Sequence, residues 1–136
     1  MAGFVALGND RYIGTYTAVQ DIENGSFVEL NHADKTGDLA GAGAKEVYFV
    51  YNENTNIPEY GIDDIDFKVE KGEFLRAYRP LAGNILVTTC IDGELAEGDI
   101  AGVVAGGKVG KVEDGAFVVK EITTEFGVKT ARLLVL

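Results

Sequence analysis

The chain has 136 residues, 46% hydrophobic and 25% charged, with 22 acidic against 12 basic side chains and a formal net charge of −10. This balance excludes disorder and fibrous structure for the bulk of the chain. A surface of that sign repels phosphate backbones, so no direct nucleic-acid partner is expected.

Taken in chain order, period-two alternation dominates. The start, Met1-Ala2-Gly3-Phe4-Val5-Ala6-Leu7-Gly8, has no basic segment and too short an apolar run for a signal peptide. Residues 12–19 form the first clear strand pattern. In Ile22-Glu23-Asn24-Gly25-Ser26-Phe27-Val28-Glu29-Leu30, Asn-Gly lies between two apolar stretches, which predicts a hairpin with a type I′ turn. Residues 31–43 are polar and glycine-rich and are expected to be a long loop. Residues 45–51 are rich in aromatic and β-branched types and predict a strand, with Tyr48 facing opposite to Phe49 and alongside Val50. Residues 52–64, carrying Pro58 and Tyr60, predict a second long loop, with at most a helical turn or two near 62–65.

The second half repeats this grammar. Strand patterns cover 74–78, 84–91, 100–105, 108–112, 116–123 and 130–136, punctuated by Lys71-Gly72, Asp92-Gly93, Gly106-Gly107 and Asp114-Gly115. No long window carries a helical stripe. The expected fold is therefore all-β: one domain over 1–136, an antiparallel β-sandwich or barrel with tight glycine turns and two long loops. A chain of this length can bury a core without metal or disulfide staples.

One pattern recurs: a β-branched residue, Glu, any residue, Gly, any residue, Phe, then an aliphatic. It appears at Ile22–Val28, Val69–Leu75 and Val112–Val118. Shared turn chemistry explains it, with Phe27, Phe74 and Phe117 expected to pack inward as anchors. The closing run Leu133-Leu134-Val135-Leu136 is costly to leave in water. It predicts a central strand or a subunit interface, each side chain contributing about 1.5–3 kcal/mol if buried.

Chemistry finds little to build on. His32 is the only histidine and Cys90 the only cysteine, too few for a zinc site of the usual kind. No Ser-His-Asp or Cys-His arrangement has a nucleophile motif beside His32. Cys90, in an apolar run, is expected to be a buried small hydrophobe. Asp63-Asp64-Ile65-Asp66 lacks calcium-loop spacing, and Gly106-Gly107-Lys108 is followed by Val109, not the Ser or Thr of a phosphate-binding loop. The absence of Trp argues against a sugar-cleaving cleft. No catalytic, cofactor or metal site is expected, and no run approaches the ~20 apolar residues of a membrane helix. Function is expected to lie in binding, on the loops and on exposed aromatic or apolar positions: His32, Asp34, Tyr51, Tyr60 and Leu136.

Three segments carry a family resemblance: residues 16–30, residues 92–99 with the valine- and glycine-rich pair after them, and residues 117–136. Together they resemble, in style across most of the chain, the small β-rich decoration (cement) proteins of tailed-bacteriophage capsids. The resemblance implies a non-enzymatic virion protein made in the host cytoplasm and bound to the outer capsid surface. Its implied partners are the major capsid protein and its own copies, as a homotrimer. Two alternatives stand beside it. One is a cellular β-domain that stacks a small molecule or glycan on Tyr51, Tyr60 and Tyr78; the other is a small β-barrel enzyme domain.

Overall fold

The computed structural model describes residues 3–5, 12–44, 46–52, 68–125 and 127–136, with backbone alone for 3–5, 12–15 and 125. Within these the protein is all-β, and the only helical element is a 3-10 turn at Ala105–Gly107. The strands are β1 Gly3–Val5, β2 Tyr12–Ala18, β3 Ile22–Glu23, β4 Phe27–Asn31, β5 Thr36–Leu39, β6 Tyr48–Val50, β7 Lys68–Val69, β8 Phe74–Tyr78, β9 Ile85–Thr88, β10 Ile100–Val104, β11 Lys108–Lys111, β12 Phe117–Glu125 and β13 Val128–Val135. Five of them, in the order β2-β5-β4-β6-β8, close into a barrel. Six form a sheet in the order β1-β9-β13-β12-β10-β11, and β3 pairs with β7 as a two-stranded ribbon.

Two cores follow from alternation. Inside the barrel, Tyr16, Val28, Tyr48, Val50, Leu75 and Ala77 pack together, and Ile22 and Val69 of the ribbon join them. Between the barrel and the six-stranded sheet, Phe27 and Phe49 point out of the barrel onto Leu86, Phe117, Val119 and Leu133. Phe27 meets Phe49 edge-on at 5.2 Å and Phe117 at 5.3 Å. Strand β6 therefore buries all three of its residues, Tyr48 and Val50 on one side and Phe49 on the other. The expected opposition of Tyr48 and Phe49 holds, and neither side is left to solvent.

The predicted Ile22–Leu30 hairpin does not form. β3 pairs with β7, while β4 pairs with β5 and β6. At the turn between them the Ser26 amide donates to the Glu23 carbonyl at 3.2 Å, and φ is positive at Gly25 (90°) but not at Asn24. A type I′ turn needs positive φ at both central residues; positive φ at the second alone is the type II pattern, whose twist splays the flanking segments and does not suit a two-residue hairpin. Asn24 instead clamps Asn52. Its Nδ2 donates to the Asn52 carbonyl and its Oδ1 accepts from the Asn52 amide, both at 2.8 Å. Asn52 in turn extends the β6–β8 pairing, its side chain donating to the Phe74 carbonyl at 2.8 Å and accepting from the Arg76 amide at 2.7 Å.

The first long loop is also corrected. Residues 36–39 form β5, antiparallel to β4 and parallel to β2 through Thr17↔Thr36 and Ala18↔Gly37, so the barrel closes through a parallel pair. Most of the second loop, Tyr60 and the 62–65 turn included, lies outside the described residues. The closing run is central as expected, since β13 lies between β9 and β12 with Leu133 and Val135 buried, but Leu134 is only half-buried and Leu136, beyond the strand, is 59% exposed.

Candidate functional site

An antiparallel sheet with one face on a core ordinarily shows polar side chains on the other. The six-stranded sheet departs from that rule. Opposite the core face, Ile85, Leu134, Val118 and Ile100 stand in register across β9, β13, β12 and β10, each half-buried. Val5 of β1 holds the next register position beyond Ile85. Leu136 extends the row with its side chain 59% exposed, and its amide is held by the Ala116 carbonyl at 2.8 Å. The adjacent row carries Glu121 opposite Arg132, so the charges there are of both signs.

A second apolar area lies on the barrel. Phe74 is 69% exposed, against the expectation that it packs inward like Phe27 and Phe117. Phe27 and Phe74 both point out of the barrel, but β4 faces the six-stranded sheet there and no described element lies over β8 at that point. The Tyr51 amide donates to the Arg76 carbonyl at 3.3 Å, which seats Tyr51, itself on the boundary of exposure, on this same wall.

His32 and Asp34 sit in the tight turn between β4 and β5. The Asn31 side chain organises it, accepting from the Ala33 and Asp34 amides at 3.0 Å each and donating to the Asp34 carboxylate at 3.1 Å. Lys35 takes a left-handed φ of 58° to close the turn. His32 Nδ1 bonds the Tyr16 hydroxyl at 2.7 Å, with the rings edge-on at 5.7 Å. His32 thus closes over one end of the barrel core, whereas Tyr51 follows the other end of β6. Leu136 belongs to the six-stranded sheet. The structure does not gather the sequence-predicted contact residues into one surface.

Cys90 borders a cleft of about 240 Å³ with Asp21, Glu23, Ser26, Thr89 and Lys108. Burial is the main cause pushing its thiol up, with Glu23 adding to the rise and hydrogen bonds from Ser26 and Thr88 opposing it. A group held as the neutral thiol is a poor nucleophile. Cys90 instead joins the sheet to the Asn24-Gly25 turn, with Ser26 Oγ at 3.5 Å and the Asn24 carbonyl at 3.6 Å, while Thr88 Oγ1 donates to the Gly25 carbonyl at 2.8 Å. Sequence reasoning reached Leu136 and the closing run but missed Ile85, Val118 and Ile100, because the row's members come from four strands and only the register aligns them. These features define an all-β protein whose candidate site is a sheet face, not a pocket. No family model, curated protein or solved structure matches the chain.

Proposed function

We propose that the chain is a non-enzymatic capsid decoration protein, binding the outer surface of an assembled icosahedral shell as a homotrimer and stabilising it. The observation that supports this best is the apolar row Ile85, Leu134, Val118, Ile100 and Leu136, on the face of the six-stranded sheet turned away from the core. A rigid apolar face bordered by charges of both signs suits packing against another protein surface. The net charge of −10 directs such a protein toward basic partner surfaces. Binding that needs the assembled shell stabilises that shell by mass action, and many identical weak contacts add through multivalency.

The test is co-sedimentation of purified protein with mature capsids of a tailed phage from whose genome the chain derives, together with a heat-release assay. Saturable binding and a higher release temperature are expected. Leu134→Ser should weaken both without unfolding the protein. Co-sedimentation no better than that of an unrelated acidic protein of similar size would remove the capsid reading.

A further inference from the structure

We infer that Asn24 is a latent deamidation site: the folded protein keeps it inert, unfolding exposes it, and the product weakens the fold, so each unfolding makes the next one easier. This does not rest on the capsid reading, and its test needs no capsid.

The chemistry starts from the pair Asn24-Gly25, which forms no hairpin here. In an unconstrained chain the Gly25 amide nitrogen gives up its proton and attacks Asn24 Cγ. A bond forms between them, the side-chain nitrogen leaves as ammonia, and a cyclic succinimide remains. Water then opens the ring at either carbonyl, leaving aspartate or isoaspartate. A glycine in the following position favours this reaction, because no Cβ shields its nitrogen and its backbone turns freely. Asn31, Asn52 and Asn84 are followed instead by His32, Glu53 and Ile85, which lack that freedom.

The fold withholds both reacting groups. Gly25 is buried, and the amide that must lose its proton donates to the Val50 carbonyl at 2.9 Å. The Val50 amide in turn donates to the Ser26 carbonyl at 3.1 Å, so the two bonds carry the β4–β6 pairing on past Phe27↔Phe49. Val50 is wholly buried in the barrel core. The Asn24 side chain is held at both its polar atoms by the amide and carbonyl of Asn52, at 2.8 Å each. Thr88 Oγ1 donates to the Gly25 carbonyl at 2.8 Å and ties the same turn to the six-stranded sheet. Cyclisation therefore requires an opening that reaches the core, and such openings lie near the free energy of global unfolding.

The product no longer fits. Aspartate keeps an acceptor for the Asn52 amide but has no donor for the Asn52 carbonyl, so two oxygens face each other where a hydrogen bond stood. It also sets a new negative charge beside Glu23, on a chain already at −10. Isoaspartate adds a methylene to the main chain inside the turn that the Ser26 amide closes on the Glu23 carbonyl at 3.2 Å.

Hydrogen exchange supplies the first test, because base removes the same proton from the Gly25 nitrogen in exchange and in cyclisation. The full chain is held at neutral pH across a urea series spanning the unfolding transition. Gly25 amide exchange is followed by NMR, and deamidation by peptide mass mapping with chromatographic separation of isoaspartate. In the unfolded chain Asn24 should react well before Asn31 and Asn84. In the native protein its reaction should be slowed by at least the factor that slows Gly25 exchange, about 10³ or more for a stable domain. Native deamidation faster than Gly25 exchange allows, or an unfolded chain that reacts as readily at Asn31 or Asn84, would overturn the proposal.

The second test is the stability of the product. Asn24→Asp should lower the folding equilibrium constant on the order of tenfold or more, read from urea midpoints, as loss of a bond that leaves its partner unsatisfied does. A variant too unstable to fold agrees with this and is checked on wild-type protein. Partly deamidated wild type is given a brief protease pulse at its urea midpoint, and both products at position 24 should be enriched among the cleaved chains. An unchanged midpoint in Asn24→Asp, or cleavage blind to the modification, would remove the claim that unfolding feeds on itself.

Discussion

Gly115 offers the sharpest test of the packing between the sheet and its turns. Its backbone needs no left-handed φ, so conformational freedom is not the reason for glycine here. Space is the reason. A Cβ at this position would lie 1.9 Å from the Ala101 carbonyl oxygen, 2.3 Å from the Ala101 carbonyl carbon and 2.8 Å from the Gly102 nitrogen. All three atoms are backbone, so no side chain can swing aside. Ala101 is fully buried and pairs with Phe117, so a shift of β10 large enough to admit a methyl group breaks that ladder at its core end. Gly115→Ala should cost about 3 kcal/mol, the upper part of the overpacking range. At roughly 4 °C per kcal/mol for a domain of this size, the melting temperature should fall by about 12 °C. Gly41→Ala is the control, because a Cβ there meets nothing within 4 Å and φ is not positive. It should stay within about 0.5 kcal/mol of wild type. Scanning calorimetry and urea midpoints on the two variants decide the matter, and a Gly115→Ala protein melting within about 2 °C of wild type would refute the steric account.

Further outcomes follow from the same contacts. Phe117→Ala should lose about 3–5 kcal/mol in urea unfolding, whereas Phe74→Ala should change stability by about 0.5 kcal/mol or less, although the two residues occupy the same place in the repeated motif. Leu134→Ser on the outward face should abolish any oligomer seen by light scattering at neutral pH while leaving the fold intact; an unchanged oligomer would move the interface elsewhere. The Cys90 thiol is raised above its ordinary 9.0, so the stability it contributes is full below that value and is lost as pH climbs through the higher folded value. Urea unfolding of wild type and Cys90→Ala should therefore run parallel up to about pH 8.5 and converge above it, as the unfolded thiol ionises. A stability difference independent of pH to strongly alkaline conditions would exclude the linkage.

Much of the strand inventory was legible because β8 buries alternate residues, β10, β12 and β13 are rich in apolar or β-branched residues, and glycine marks turns between strands. Pairing was not legible. Asn24-Gly25 carries the sequence of a tight hairpin, but Asn24 is committed to the two bonds it exchanges with Asn52, and the chain leaves the turn for a different sheet. β5 was hidden because Thr-Gly-Asp-Leu has little intrinsic strand preference; it is strand because β4 and β2 supply ladders on both edges. Phe74 was misjudged for a related reason. A repeated motif sets which way a side chain points from its own strand, but burial depends on what packs over that strand. The candidate site was the least legible part, since the row through Leu134 exists only once separate strands are in register.

The two-sided burial of β6 has a mechanical consequence. Phe49 is held by the aromatic cluster against the sheet, while its neighbours Tyr48 and Val50 are held by the barrel interior, so this short strand is a rivet through both compartments. Neither compartment can loosen without withdrawing a residue from the other. Heat or denaturant should meet a molecule that lets go everywhere at once.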